Sequence, residues 1–169
     1  MKVILYMATT LNGYIAKENN ETPWSEEEWV SYSNIIKSTK NIIIGYNTYE
    51  IMKKNNEFEK IGNPLTIVIT SKIIKSDTNT IFFNSPKQAL EVLKNKGFKQ
   101  TIIAGGSKLN ASFLKENLID EIYIDLEPFI FSNGITLLEK TDFEIKLKLI
   151  ETKLLSKNTI QLHYLVIKN

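Results

Sequence analysis

The stretch Thr101-Ile102-Ile103-Ala104-Gly105-Gly106-Ser107-Lys108-Leu109, running on to Phe113-Leu114, constrains this chain more than any other. Ile102-Ile103-Ala104 is a short apolar run of the kind that a strand covered on both faces needs. After the glycine pair, Leu109, Phe113 and Leu114 recur at helical spacing. Where a strand passes into a helix through two glycines, the free N–H groups of the first helical turn stay open and a ligand can approach the backbone closely. Such a corner suits an anion, above all a phosphate. An ordinary strand-to-helix turn, with glycines that only relieve crowding, fits the same residues.

The flanking chain alternates in the same way. Lys2 to Ala8 reads as a buried strand, followed by a loop through Asn12-Gly13 to Pro23. A helix begins at Ser25, a good N-cap, with Glu28 at the capping-box position. Asn41 to Gly45 is a second strand, Tyr46 to Lys54 a short helix, Leu65 to Thr70 a third strand and Thr80 to Phe83 a fourth. Ser85-Pro86-Lys87-Gln88 opens a helix that Gly97 stops. After the focal strand and helix, Glu121 to Glu127 alternates polar with apolar residues. Two long strands, Glu144 to Leu149 and Thr159 to Val166, then flank a polar turn at Ser156-Lys157-Asn158. The expectation is an α/β domain spanning residues 1–169, with a mixed, mostly parallel sheet of about eight strands, four helices and a C-terminal antiparallel hairpin.

Composition narrows the chemistry. The chain has no cysteine, so no thiolate metal site or disulfide is available, and no metal is expected. A net charge of +2 is too small to argue for nucleic acid. No apolar run of roughly 18 residues points to a membrane, and a cytoplasmic location is expected. All 21 basic residues are lysines. Any phosphate or carboxylate bound here must therefore be met by ammonium, hydroxyl, amide or backbone N–H groups, never by a guanidinium fork.

Four motifs in order, Met7 to Ala16, Gly45-Tyr46-Asn47-Thr48-Tyr49, Val68-Ile69-Thr70-Ser71 and Ala104-Gly105-Gly106, resemble the dihydrofolate reductase superfamily. Within it, Leu118-Ile119-Asp120-Glu121, Pro128 and Ser132-Asn133-Gly134 are similar to the C-terminal reductase domain of the bifunctional riboflavin-pathway deaminase-reductase. The resemblance covers nearly the whole chain. It implies a three-layer fold, NADPH as cofactor, hydride transfer to a small heterocycle and often a homodimer. The substrate it implies first is a ribosylaminopyrimidine phosphate, with dihydrofolate as the alternative. A nucleotide-binding regulatory protein that has lost the chemistry is a reading of another class.

Carried onto these positions, the resemblance puts Ala8 and Ile15 beside the nicotinamide, where hydride transfer needs a dry wall. Gly45, Asn47 and Thr48 would open a helix at the cofactor phosphates, with Thr48 also near the substrate. Thr70 and Ser71 would meet the adenosine end. Gly105, Gly106, Ser107 and Lys108 would hold the pyrophosphate, flanked by Ala104 and Leu109, with a cis bond between the glycines. The departures are specific. Tyr46 stands where the family commonly has a basic residue for the cofactor's extra phosphate, and Lys72 is the nearby replacement. Asn12 stands in a substrate-handling loop where the branch usually has Asp.

The resemblance also implies an acid on the first helix, four residues before an aromatic that lines the pocket. Glu28 and Tyr32 have that spacing and share a helix face. Rigid counting from Pro23-Trp24 puts Trp29 at the acid's place instead; Glu27 is a further candidate, and Glu28 also has the capping-box job. A folate tail carries carboxylates that arginine clamps elsewhere in the superfamily, so a chain without arginine suits another heterocycle better. His163 on the last strand and the adjacent Asp120-Glu121 pair read as a sheet residue and a solvated turn.

Overall fold

The computed structural model describes residues 1–168. Eight strands form one sheet: β1 (Lys2–Thr10), β3 (Asn41–Gly45), β4 (Leu65–Ile69), β5 (Thr80–Phe83), β6 (Gln100–Ile103), β7 (Glu121–Glu127), β9 (Lys146–Leu154) and β10 (Ile160–Ile167). Their order is β5-β4-β3-β6-β1-β7-β10-β9, parallel except for β10, which runs antiparallel to both β7 and β9. A second, two-stranded sheet pairs β2 (Tyr14–Ala16) with β8 (Ile135–Thr136). Five helices accompany them: α1 (Glu26–Thr39), α2 (Tyr46–Lys54), α3 (Glu57–Lys60), α4 (Pro86–Asn95) and α5 (Ser107–Lys115).

The apolar runs are continuous because both faces of the sheet are covered. Ile43, Ile67 and Ile103 face a layer containing Ala89, Leu93, Leu109 and Phe113 from α4 and α5. Their neighbours Ile42, Ile44, Val68 and Ile102 face Ile36 of α1 and Tyr49 and Met52 of α2. Three layers result. Fully burying one Ile or Leu of this kind contributes about 1.5–3 kcal/mol, and the polar residues these strands do bury, Asn41, Thr66 and Thr101, stand at or next to their first positions.

Several expectations are corrected. A fifth helix exists because α3 is a single turn, too short to leave a periodic signal. The two strands of the small ribbon were likewise too short to read. The penultimate strand starts at Lys146 and runs on to Leu154, because Phe143 and Ile145 turn inward against the core before pairing begins. In β7 the polar members do not all face water: Asp125 and Glu127 are buried beneath α1 and the loop before it. Asp120 and Glu121 are engaged rather than solvated. Asp120 accepts the Val3 N–H at 2.8 Å, and Glu121 meets Lys2 at 2.7 Å and His163 at 3.1 Å. His163 also stacks on Tyr123 with ring centroids 4.1 Å apart.

Candidate active site

The cleft arises from the sheet itself. From β3 the chain moves outward to β4 and β5; from β6 it moves the other way, past β1 to β7. The strand order therefore reverses between β3 and β6, the place where open α/β sheets leave a crevice at their carboxyl ends. Pairing of β1 with β6 ends at Leu5↔Ile103, while β1 continues beside β7 to Thr10↔Glu127. A gap opens past Ile103, and the glycine corner fills its far side.

That corner is anchored by backbone bonds. Ala104 N–H donates to the Ile43 carbonyl at 3.1 Å, and Gly45 N–H to the Gly105 carbonyl at 2.8 Å. The Gly105–Gly106 peptide is cis. Gly105 has φ +85°, and a Cβ there would sit 3.2 Å from the Met7 methyl, so no other residue fits without strain. Gly106 and Gly45 are the N-caps of α5 and α2, and neither helix receives a side-chain cap. Two adjacent helix N-termini thus present unpaired N–H groups to one cavity.

The cavity holds about 1520 Å³, more than the roughly 300–1,000 Å³ of a single small-molecule site. Its wall includes Ala8, Ile15, Gly45, Tyr46, Asn47, Thr48, Thr70, Ser71, Lys72 and the whole run Ala104 to Leu109. Glu28 and Tyr32 line it as well. Asn12 does not. Its side-chain amide donates to the Phe131 carbonyl at 2.7 Å and its oxygen accepts from the Thr10 hydroxyl at 2.8 Å. It ties the β1–β2 turn to the segment after β7, which is a structural duty, and it is not placed for the substrate contact that the resemblance implies. Glu27 is absent from this wall and exposed.

Glu28 is the most perturbed carboxyl on the cleft wall. Ser25 Oγ accepts the Glu28 N–H at 3.2 Å, but the reciprocal half of the expected capping box is missing. Glu127 takes that part, accepting from Ser25 Oγ at 2.7 Å and Ser25 N–H at 3.2 Å. The Glu28 carboxyl is thereby released toward the cavity, 5% exposed and without a hydrogen-bond partner among the described residues. Burial, then the neighbouring carboxylates of Asp125 and Glu127, push its pKa up to about 8. At neutral pH it is a proton-bearing acid. Behind it, Tyr6 donates its phenolic proton to Asp125, the Ser31 hydroxyl lies 2.8 Å from the Tyr6 oxygen and can donate to it, and the Gln161 amide donates to Asp125 at 2.8 Å. Burial raises the Asp125 pKa to about 6, although those two hydrogen bonds pull it back. Burial also pushes the Tyr32 phenol above its ordinary range, with Glu28 and Glu57 adding to the shift.

Trp24 and Trp29 complete the aromatic side of this pocket. Trp29 lies 5.7 Å from Tyr32, and Trp24 stacks on Phe131 at 6.1 Å. Both tryptophans stand next to the acidic run Glu26-Glu27-Glu28, an apolar-beside-acid signal the sequence carries openly. At the opposite end Lys72 sits 3.9 Å above the Tyr46 ring, beside the first turn of α2.

Residues 1–161 match the family model described as the RibD C-terminal domain. The chain belongs to the RibD C-terminal domain family. The family is one of reductase-type oxidoreductase domains. It is similar to the uncharacterized protein YwjB of Bacillus subtilis (strain 168), 32% identical over 169 residues, which covers 96% of this chain and 97% of YwjB. The RibD-like fold is shared with a pyrimidine reductase-like protein from Corynebacterium diphtheriae: TM-score 0.80, 15% identity, 99% of this chain and 92% of that one. It is shared too with a diaminohydroxyphosphoribosylaminopyrimidine deaminase/5-amino-6-(5-phosphoribosylamino)uracil reductase from Thermotoga maritima, at TM-score 0.75 and 16% identity. There the match covers 98% of this chain and 56% of the larger protein.

Proposed function

We propose that this protein is an NADPH-dependent reductase of a small pyrimidine- or pterin-type heterocycle. The observation that carries the reading is the meeting, across one cavity, of two glycine-capped helix N-termini and a buried, unpartnered carboxyl in an aromatic pocket. The residues present fit a dinucleotide. Gly105 and Gly106 put no side chain of their own into the corner, and a Cβ on Gly106 would meet only Thr48 Oγ1, at 3.6 Å. Open amides of α2 and α5 would hold phosphate oxygens, with Asn47, Thr48, Ser107 and Lys108 around them. Thr70 and Ser71 would take the adenosine end, and Lys72 would meet the extra phosphate that separates NADPH from NADH. Bound there, the cofactor supplies a hydride.

The chain's own residues supply the rest. Ala8 and Ile15 make the dry wall against which two rings can be pressed together. Glu28 holds a proton at a carboxyl oxygen and can hydrogen-bond the amino and ring nitrogens of a heterocycle, donating that proton as hydride arrives. Burial, and then Asp125 and Glu127 beside it, favour the protonated form.

The ribosylaminopyrimidine phosphate is the substrate that family membership suggests first. The Glu28–Tyr32 pairing on one face of α1 favours a pterin such as dihydrofolate as the second reading. Purified protein is assayed for NADPH oxidation against both, beside a fluorescence titration of NADPH alone. Turnover of either supports the reductase; tight NADPH binding without turnover of any heterocycle would turn the assignment toward regulation. The reading puts the protein in the cytoplasm, and no described helix is long and apolar enough to cross a membrane.

We also propose a homodimer through the C-terminal hairpin. All nine residues of β9, the free edge of the sheet, are exposed, and Leu147, Leu149 and Leu154 on it, with Ile160 and Leu165 on the neighbouring β10, leave apolar side chains uncovered. Sedimentation of Leu149→Lys against the native chain tests it: the variant is expected to run as a monomer.

A further inference from the structure

The N-terminus of α1 offers one backbone donor to two carboxyl groups. Ser25 is the N-cap and Glu28 stands three residues on, the spacing at which a glutamate reaches back to the N-cap N–H and completes a capping box. Glu127 takes that N–H instead, at 3.2 Å through one oxygen, and accepts from Ser25 Oγ at 2.7 Å through the other. Its place is fixed from the sheet. Glu127 pairs with Thr10 of β1 at the end of β7, and the Phe129 N–H donates to its carbonyl at 2.8 Å. Thr159, buried at the start of the last strand, brings its hydroxyl to 3.5 Å from Ser25 Oγ on the other side. Glu127 is itself buried and is not part of the cleft wall, whereas Glu28 is. A Glu28 that closed the box would turn away from the cleft, and the N–H it accepted would favour its ionised form.

We propose that Glu127 is a positioning residue of the active site: by occupying both donors of Ser25 it keeps the Glu28 carboxyl out of the capping box and aimed at the substrate. Its effect on turnover rests on the reductase reading; its effect on Glu28 does not. Reach and charge are separable. Glu127→Asp keeps the charge and withdraws the oxygens by one methylene, which leaves Ser25 open to Glu28. Glu127→Gln removes the charge and keeps the reach, with an amide oxygen that still accepts the Ser25 N–H.

Two measurements test the proposal. In NADPH-dependent turnover between about pH 5 and about pH 9, Glu127→Asp is expected to lower kcat at least about tenfold near neutral pH. That loss should shrink toward the acid end, where Glu28 regains its proton, and NADPH affinity should stay as in the native chain. Glu127→Gln is expected to remain within about threefold of the native kcat. The second measurement needs no activity. Glu28→Gln is added to the native chain and to each variant, and denaturant unfolding is compared at about pH 5 and about pH 8.5. The stability that Glu28→Gln gains at the higher pH should largely persist beside Glu127→Gln and fall by at least about half beside Glu127→Asp. Equal effects in the two variants, an effect confined to Glu127→Gln, or no effect in either overturns the proposal. Should Glu127→Asp not fold, Glu127→Gln decides: retention of kcat and of the gain supports the proposal, and their loss overturns it. If the native chain turns over no heterocycle, the reductase reading falls and the unfolding comparison alone decides whether Glu127 keeps Glu28 free.

Discussion

Replacing Glu28 by Gln separates a carboxyl that bears a proton from one that merely caps a helix. Glu28 has a folded pKa of about 8 against an ordinary 4.5, chiefly through burial and then through Asp125 and Glu127. A carboxyl that binds its proton more tightly when folded opposes folding as pH rises. Its effect is nil below 4.5, grows to about 8 and is constant above. The gap of about 3.5 pH units, at ~1.4 kcal/mol each, makes ~5 kcal/mol an upper bound on the stability lost across that window. Gln has the same shape and no titration, so the loss disappears. Asp125, at about 6, titrates in both proteins and largely drops out of the difference. Denaturant unfolding followed by Trp24 and Trp29 fluorescence at about pH 5 and about pH 8.5 reads it directly. Glu28→Gln is expected to gain roughly 2–5 kcal/mol on the native chain between the two pH values. The same substitution removes the proton donor, lowering kcat by about 10²–10⁴ with NADPH affinity retained, and the native rate should fall as pH passes about 8. Parallel pH profiles of stability in the two proteins would refute the reasoning.

Other outcomes are as specific. Lys72→Ala should weaken NADPH by about two- to fivefold, the worth of one exposed ion pair, and leave NADH unchanged; a salt-independent loss of both would disconnect Lys72 from the extra phosphate. Gly134→Ala places a Cβ 2.5 Å from the Ala16 carbonyl oxygen and 3.0 Å from the Tyr14 ring, so β2 and β8 must separate. A cost of about 1–3 kcal/mol should show as a lowered melting temperature, and an unchanged melt would contradict the packing of that ribbon. Tyr6→Phe removes a donor from buried Asp125, leaving Gln161, and should cost about 1–3 kcal/mol in denaturant titration.

The sheet was readable because burial on both faces demands unbroken apolar runs, and Ile42-Ile43-Ile44 or Ile102-Ile103 admit no other place. The glycine corner was readable because φ +85° at Gly105 leaves one residue type. Glu28 was visible only as one of two things, a cap or an acid. What decides is Glu127, a hundred residues away, which takes over at Ser25 and frees the Glu28 carboxyl. No local pattern announces that exchange, since the alternation in β7 does not tell which of its polar members are buried. Asn12 misled for the opposite reason: its place in a motif is shared, but its amide is spent on Thr10 and Phe131. Trp24 and Trp29 were named only as counting marks, since their role depends on a pocket that forms when α1 closes over β1.

If the amides beside Gly105 and Gly106 hold a dinucleotide's phosphates, Gly106→Val must weaken its binding. The fold should accept the change, because a Cβ at Gly106 makes only an ordinary contact with Thr48, while the branched side chain fills the cradle. NADPH fluorescence titration is expected to give saturable binding to the native protein and binding at least about tenfold weaker in the variant, with the melting temperature unmoved. Equal affinity in the two proteins, or no binding to either, would contradict it.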